Sequence, residues 1–188
     1  MTRLKNFIRE MTILADSHAD DEEKMLDGGQ ASLAALLAED NWLPEEFARP
    51  DEGRYMQYLL HCDPLERFSV VSFVWAPGQM TPVHDHLTWG LIGMLRGAEE
   101  SERYAPGSPP TLIDTQRLNP GEIEQVSPRL GDIHRVRNAF DDRVSISIHV
   151  YGGNIGTLER QSFDLASGTC KAFISGYANS SLPNIWGR

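Results

Sequence analysis

The stretch "TPVHDHLTWGLIGMLRG" carries two histidines one residue apart, His84 and His86, in a segment that otherwise reads as buried strand. In a strand, residues i and i+2 share a face with Cα atoms ~7 Å apart, so both imidazoles can aim at one point. Two such imidazoles and one more donor from another strand would make a transition-metal site. Alone, the triplet equally fits two solvent-facing histidines on an edge strand. A second row, "VSISIHVYGG", sets Ser147, His149 and Tyr151 at alternate positions, with Ile146, Ile148 and Val150 between them. That strand has one polar face and one apolar face. The polar trio is either a structural set that satisfies its own hydrogen bonds in the core, or a relay. In a relay Ser147 orients His149, and His149 orients the Tyr151 hydroxyl toward metal-bound ligands.

The elements that must position these rows are mostly short strands. From Tyr55 onward, β-branched and aromatic runs alternate with breaks such as "APGQ", "APGSPP", "NPGE", "SPRLGD" and "FDDR". Closely spaced short strands of this kind predict an antiparallel sandwich or barrel. Strands are expected near "RYMQYLLHC", "RFSVVSFVWA", "PVHDH", "GLIGMLRG", "EESERYA", "DTQRL", "EIEQV", "IHRVRNA" and "VSISIHVYG". "TLERQSFDL" and "TCKAFIS" are candidates for two more, and "SSLPNIWGR" reads as a loose tail. The first fifty residues read as helical. Leu4, Phe7, Ile8, Met11 and Leu14 recur at helical spacing, "QASLAALLAED" carries a second apolar stripe, and Pro44 opens a short third helix. These helices should lie against one side of the barrel. One domain over 1–188 is expected, with a helical extension at 1–50 and a barrel core at 55–165.

Gly78 lies six residues before His84, and Gly97 eleven after His86; in "GDIHRVRN", His134 follows Gly131 by three and precedes Asn138 by four. These spacings resemble the two-part pattern of the cupin superfamily, G-x5-H-x-H-x(3–4)-E-x6-G and G-x2-H-x3-N. The resemblance implies a mainly β fold, the double-stranded β-helix barrel, with both motifs facing its interior. It implies His84, His86 and His134 as metal ligands. Where many cupins place a glutamate ligand, this chain has Gly90. Three neutral ligands would leave the dication its full charge and open positions, suited to a thiolate and O₂. Gly90 itself is expected to leave room for them.

A three-histidine cupin with a Ser-His-Tyr row resembles the thiol dioxygenases, the family of cysteine dioxygenase and 3-mercaptopropionate dioxygenase. The resemblance covers about Tyr55 to Arg160. It implies mononuclear non-haem Fe(II), a small thiol and O₂ as reactants, and a sulfinate product. Three features resemble the 3-mercaptopropionate group. Gln57 stands where cysteine dioxygenases of the mammalian type have an arginine. Gly90 stands near where those enzymes carry a cysteine joined to the active-site tyrosine, so no Cys–Tyr crosslink is expected. "YGGN" follows where they have Ser-Pro-Pro. In that group an arginine further along binds the substrate carboxylate, and Arg160, nine residues past Tyr151, fits by position. A surface ion pair with Glu159 or Asp164 is the competing reading of Arg160. Tyr55 and Trp89 are each either pocket wall or core. Open alternatives are a cysteine dioxygenase, a non-catalytic metal-binding cupin, and a zinc or nickel cupin with other chemistry.

The bulk properties bound the partners. The chain of 188 residues has 27 acidic and 17 basic residues, a formal net charge of −10. That disfavours nucleic acid or an anionic membrane as partner. The acidic run "ADDEE" at 19–23 reads as a solvated loop. No window approaches the ~20 apolar residues that span a bilayer. Cys62 and Cys170 form no framework and read as two lone buried thiols. A cytoplasmic protein is expected; oligomeric state is not legible.

Overall fold

In a computed structural model, residues 2–187 are described. Two helices, α1 (Thr2–His18) and α2 (Glu22–Leu37), come first, followed by a single 3-10 turn at Glu45–Phe47. Eleven strands follow among the described residues: β1 (Met56–Cys62), β2 (Ser69–Trp75), β3 (Val83–His84), β4 (Gly90–Arg96), β5 (Glu99–Ala105), β6 (Thr111–Leu118), β7 (Ile123–Val126), β8 (Ile133–Asn138), β9 (Ser145–Tyr151), β10 (Arg160–Phe163) and β11 (Cys170–Phe173). They pair antiparallel in two sheets, ordered β1-β2-β9-β4-β7 and β11-β10-β3-β8-β5-β6. This is the mainly β cupin architecture, a double-stranded β-helix with N-terminal helices packed on it. No helix among the described residues is long and apolar enough to cross a membrane.

The five-stranded sheet works as a two-faced plate. On β9, Ile146, Ile148 and Val150 point outward and join one apolar cluster with Val70, Val74 and Leu91. Leu4, Phe7 and Met11 of α1, and Leu33, Leu36 and Leu37 of α2, close that cluster. Glycines let α2 and the sheet approach: a Cβ on Gly93 would stand 2.5 Å from a Leu37 methyl. The alternate residues of β9 point inward, as period-two geometry requires. In the register of β9, Tyr151 faces Gly90 and Ser69, and His149 faces Ile92 and Val71.

Three expectations are corrected. The acidic run at 19–23 is not a loop throughout: Asp21 caps α2 by accepting from the Lys24 N–H, and Glu22 and Glu23 fill its first turn. Carboxylates there favour the positive end of the helix dipole. The cysteines are not both buried, since Cys62 is half-buried and Cys170 exposed. The barrel also runs past 165, because β11 adds the outer strand of the second sheet.

The motif residues other than histidine hold turns. Gly78 and Gly97 have φ of +71° and +77°, a region that costs other residues steric strain, and a Cβ on Gly97 would collide with Ser145. Asn138 is buried, and its amide donates to the carbonyls of Trp75, Ala76 and Arg143. It pins the β8–β9 corner and the end of β2 together.

Candidate metal centre

His84 and His134 are direct partners across the β3–β8 pairing. His86 lies beyond the end of β3, which stops at His84, so the two ligands of the triplet do not share one regular strand as expected. Their convergence is kept by other bonds. Asp85 accepts from the Gln161 N–H at 2.8 Å and donates its own N–H to the Gln161 carbonyl at 3.1 Å. Asp132 then takes over: its carboxylate accepts from the backbone N–H groups of His86 (3.0 Å) and Leu87 (2.8 Å). Leu87 is held there at φ +58°, a strained value for a leucine. The three imidazoles sit with centroids 4.6–5.0 Å apart, and one ligand atom from each lies within 4.8 Å of the others.

These residues fit a metal ion. All three are buried. Burial, and then the neighbouring His86, push the His84 imidazole down to about 3; burial and its two neighbours take His134 well below the usual histidine range. Both rings are therefore neutral at pH 7, as a ligand must be. His84 turns Nδ1 to the Pro82 carbonyl at 3.0 Å, and His86 turns Nδ1 to Asp132 at 3.0 Å. Nε2 of His86 and Nδ1 of His134 are buried with no hydrogen-bond partner among the described residues. An orphaned buried nitrogen costs ~1–3 kcal/mol, and a cation would satisfy it.

Asp132 was missed in the sequence, although it stands two residues before His134 and so shares its face. Burial alone would raise its pKa; hydrogen bonds from His86 and Leu87 outweigh burial and leave it lowered. A carboxylate so placed would fix the tautomer of His86 for holding a metal through its other nitrogen. Asp132→Asn is expected to weaken metal binding about 10- to 100-fold, because outer carboxylates of this kind contribute on that scale. Competition with a chromophoric chelator measures it; unchanged affinity would remove Asp132 from the site.

The Ser-His-Tyr row is a continuous chain. Tyr151 Oη lies 2.7 Å from His149 Nδ1, and His149 Nε2 lies 2.8 Å from Ser147 Oγ. Trp75 Nε1–H donates to the same Ser147 oxygen at 3.1 Å, and Phe73 stacks on His149 at 4.2 Å. Both nitrogens of His149 are thus engaged, so it does not compete as a third ligand. The Tyr151 ring stacks 5.3 Å from His86. Burial raises its hydroxyl pKa, keeping a neutral phenol.

Gly90 does not leave open space. A Cβ there would stand 3.0 Å from Tyr151 Cδ1 and 3.0 Å from a Val126 methyl. The ring of Tyr151 fills the room that the missing side chain provides. Gly90→Ala is therefore expected to destabilise by about 1–3 kcal/mol through overpacking, with Tyr151 displaced. Denaturant melts of the metal-free protein read this; an unchanged midpoint would show the ring can yield freely.

Arg160 is brought to the centre. It is 4% exposed, not a surface residue. With Tyr55, Gln57, His84 and Tyr151 it lines a small cavity of about 20 Å³, near the space of one water. Its guanidinium donates to Ser175 Oγ at 2.8 Å and stands 4.7 Å over Phe173. Its Nε is buried without a partner, and no carboxylate among the described residues lies within 4.0 Å. Gln57 donates to Ser175 Oγ and the Gly176 carbonyl at 3.1 and 3.0 Å. Tyr55 stacks against Phe73 and Trp75 and walls both this cavity and an outer groove of about 270 Å³. Trp89 is core instead: it belongs to the apolar cluster beneath the helices and packs on Gly152. Phe173 and Ser175 come from the weakly patterned end of the chain and were not anticipated.

Two antiparallel sheets enclosing three convergent histidines define a cupin with a histidine metal site. The family model described as cysteine dioxygenase type I matches residues 15–164, and the chain belongs to that family, one of thiol dioxygenases. The match reaches back into α1 and covers α2, well before Tyr55, where the sequence resemblance begins. Among solved structures, an uncharacterized protein with a double-stranded β-helix domain from Klebsiella pneumoniae is 20% identical, covering 61% of this chain and 88% of its own, with a TM-score of 0.48. An RmlC-like cupin from Desulfovibrio desulfuricans is 24% identical over 56% of this chain and 88% of its own, with a TM-score of 0.43.

Proposed function

We propose that this protein is a non-haem Fe(II) thiol dioxygenase that converts 3-mercaptopropionate and O₂ to 3-sulfinopropionate. His84, His86 and His134 hold the iron, which supplies the redox chemistry that joins O₂ to the thiol sulfur. The balance is one thiol and one O₂ to one sulfinate and one proton. Arg160 receives the substrate carboxylate as a bidentate fork, with Ser175 fixing its orientation. Gln57 holds Ser175 from the other side. Tyr55 and Phe173 wall the cavity and limit water. Tyr151 faces the metal pocket with its hydroxyl set by His149, and His149 is set by Ser147. The tyrosine carries no thioether, because residue 90 beside its ring has no sulfur.

One observation carries the choice of thiol. Among the described residues Arg160 is a buried cation with no carboxylate partner, and no Asp or Glu lines the cavity to receive an ammonium. A thiol carboxylate without an amine complements that charge pattern. Two exposed or half-exposed free thiols fit a reducing compartment, so the cytoplasm. Neither nucleic acid nor a membrane is a partner on this reading.

The test compares kcat/KM for 3-mercaptopropionate and cysteine with Fe(II)-loaded protein, following O₂ uptake and sulfinate. The expected result is a clear preference for 3-mercaptopropionate. Preference for cysteine would make it a cysteine dioxygenase. No thiol-dependent O₂ uptake would leave a metal-binding cupin without this chemistry.

A further inference from the structure

Further along the barrel interior from Tyr151, the relay meets a second polar group. Glu99 on β5 is fully buried, and neither of its carboxyl oxygens has a hydrogen-bond partner among the described residues. Both oxygens of Glu124 on β7 and the Ser101 hydroxyl are buried and unpartnered as well. An unpaired buried carboxylate is among the costliest groups a core can hold. Burial pushes Glu99 up to about 8; the Ser147 hydroxyl opposes that by favouring the charged form, and Glu124 adds to it. The strand contacts place Glu99 at the Ser147 end of the chain: its neighbour Ala98 exchanges two hydrogen bonds with Ser145 Oγ, two residues before Ser147 on the same inward face, and its register partner Asn138 accepts from Ser145 as well. The Tyr151 hydroxyl in turn feels the Glu99 charge.

The groups facing Glu99 can be named. From β7 comes Glu124, itself raised by burial. From β9 comes Ser147, with His149 and Tyr151 behind it. Its register partners on β8 and β6, Asn138 and Leu118, carry no titratable group. Arg103, on its own strand, acts on Glu124.

Counting lone pairs links these groups. Ser147 Oγ has two acceptor sites and one proton. The Trp75 N–H occupies one site permanently. When Glu99 is protonated and donates to the second site, the serine proton must go to His149 Nε2. His149 then carries its proton on Nδ1, donates it to Tyr151, and the phenol proton points into the pocket. When Glu99 is ionised, it attracts the serine proton. Ser147 then accepts from His149 Nε2–H, Nδ1 accepts from Tyr151, and the phenol offers only a lone pair.

We propose that Glu99 is a positioning residue and proton store: through Ser147 it sets the tautomer of His149, and so decides whether Tyr151 donates or accepts in the metal pocket. A turn of the Glu99 carboxyl onto Ser147 closes the link. When Tyr151 gives its proton to a ligand in the pocket, His149 replaces it from Nδ1. Ser147 then protonates Nε2, and Glu99 reprotonates Ser147. Each proton moves one place, one proton is delivered, and the charge left behind sits on Glu99. The role in turnover rests on the dioxygenase reading; the tautomer coupling does not.

The ¹⁵N shifts of the His149 ring, followed in metal-free protein across about pH 6–10, distinguish the two tautomers. The expected result is a switch from Nδ1–H to Nε2–H with a midpoint near 8. Glu99→Gln should leave one His149 tautomer at every pH, since the amide does not titrate in this range. Glu124→Gln should keep the switch and move it to lower pH by removing a like charge. In loaded enzyme, kcat should fall above the same midpoint in the natural protein and not in Glu99→Gln. A tautomer constant with pH in the natural protein, or a switch that survives Glu99→Gln, overturns the proposal; the first measurement needs no variant to fold. Absence of thiol-dependent O₂ uptake would overturn only the dioxygenase reading.

Discussion

Replacing His134 by alanine is expected to abolish metal retention and thiol-dependent O₂ uptake together. The two remaining imidazoles, His84 and His86, come from one short segment and leave one side of the ion bare. No third donor stands ready. His149, the obvious substitute by sequence, has both nitrogens committed, at 2.7 Å to Tyr151 and 2.8 Å to Ser147. Recruiting it would break its contact with Tyr151 or with Ser147. Asp132 is committed likewise, to His86 and two backbone N–H groups. Metal content after loading and dialysis reads the result, with a thermal melt to show that the chain still folds. One equivalent of tightly held iron in His134→Ala would place the third ligand elsewhere.

Arg160→Ala is expected to lower kcat/KM for 3-mercaptopropionate by about 30- to 1,000-fold, corresponding to roughly 2–4 kcal/mol for a desolvated charge pair. Most of the loss should fall on KM, because the carboxylate is held equally before and during the reaction. Arg160→Lys should recover only part, since an ammonium cannot fork onto a carboxylate and would lose the 2.8 Å bond to Ser175 as placed. The discriminating control is a thiol without a carboxylate. Its turnover, however slow, should be nearly indifferent to the substitution. An equal loss for both thiols would mean that Arg160 supports the cavity wall and does not read the substrate.

The pattern of residues carried the barrel because each strand alternates or runs apolar over a turn-bounded length, and those are local signals. The histidine cluster was legible through the resemblance: the spacings match the two cupin motifs, and that match, not local strand geometry, joined His134 to His84 and His86. What local pattern could not give was non-local. Arg160 was named only through the family resemblance, and it comes beside His84 because β10 pairs with β3, through Ser162 opposite His84. Nothing within "TLERQSFDL" states that. Ser175 meets Gln57 across more than a hundred residues of chain. Glu99 and Ser101 sit in "EESERYA", where both faces of the strand are polar and no alternation marks which side is inside. The start of α2 was hidden because its first turn is acidic and carries no apolar stripe. Gly90 was read as a vacancy, and only the register with Tyr151 shows what occupies it.

The segment after β11 has a consequence of its own. β1 is the outer strand of its sheet, and its open edge is met by this segment. Asn179 returns both backbone bonds of Leu59, accepting at 2.8 Å and donating at 2.9 Å, and the Ala178 N–H bonds the Gln57 carbonyl at 2.8 Å. The same segment presents Ser175 to Arg160, while Phe173 reaches it from the end of β11 through the β10–β11 pairing. A bare sheet edge invites other strands, and this stretch occupies part of that edge while Ser175 bonds the arginine. The edge of β1 and the surroundings of Arg160 are thus shaped by one stretch of chain, so a change that loosens Asn179 from Leu59 would be felt at Ser175 as well.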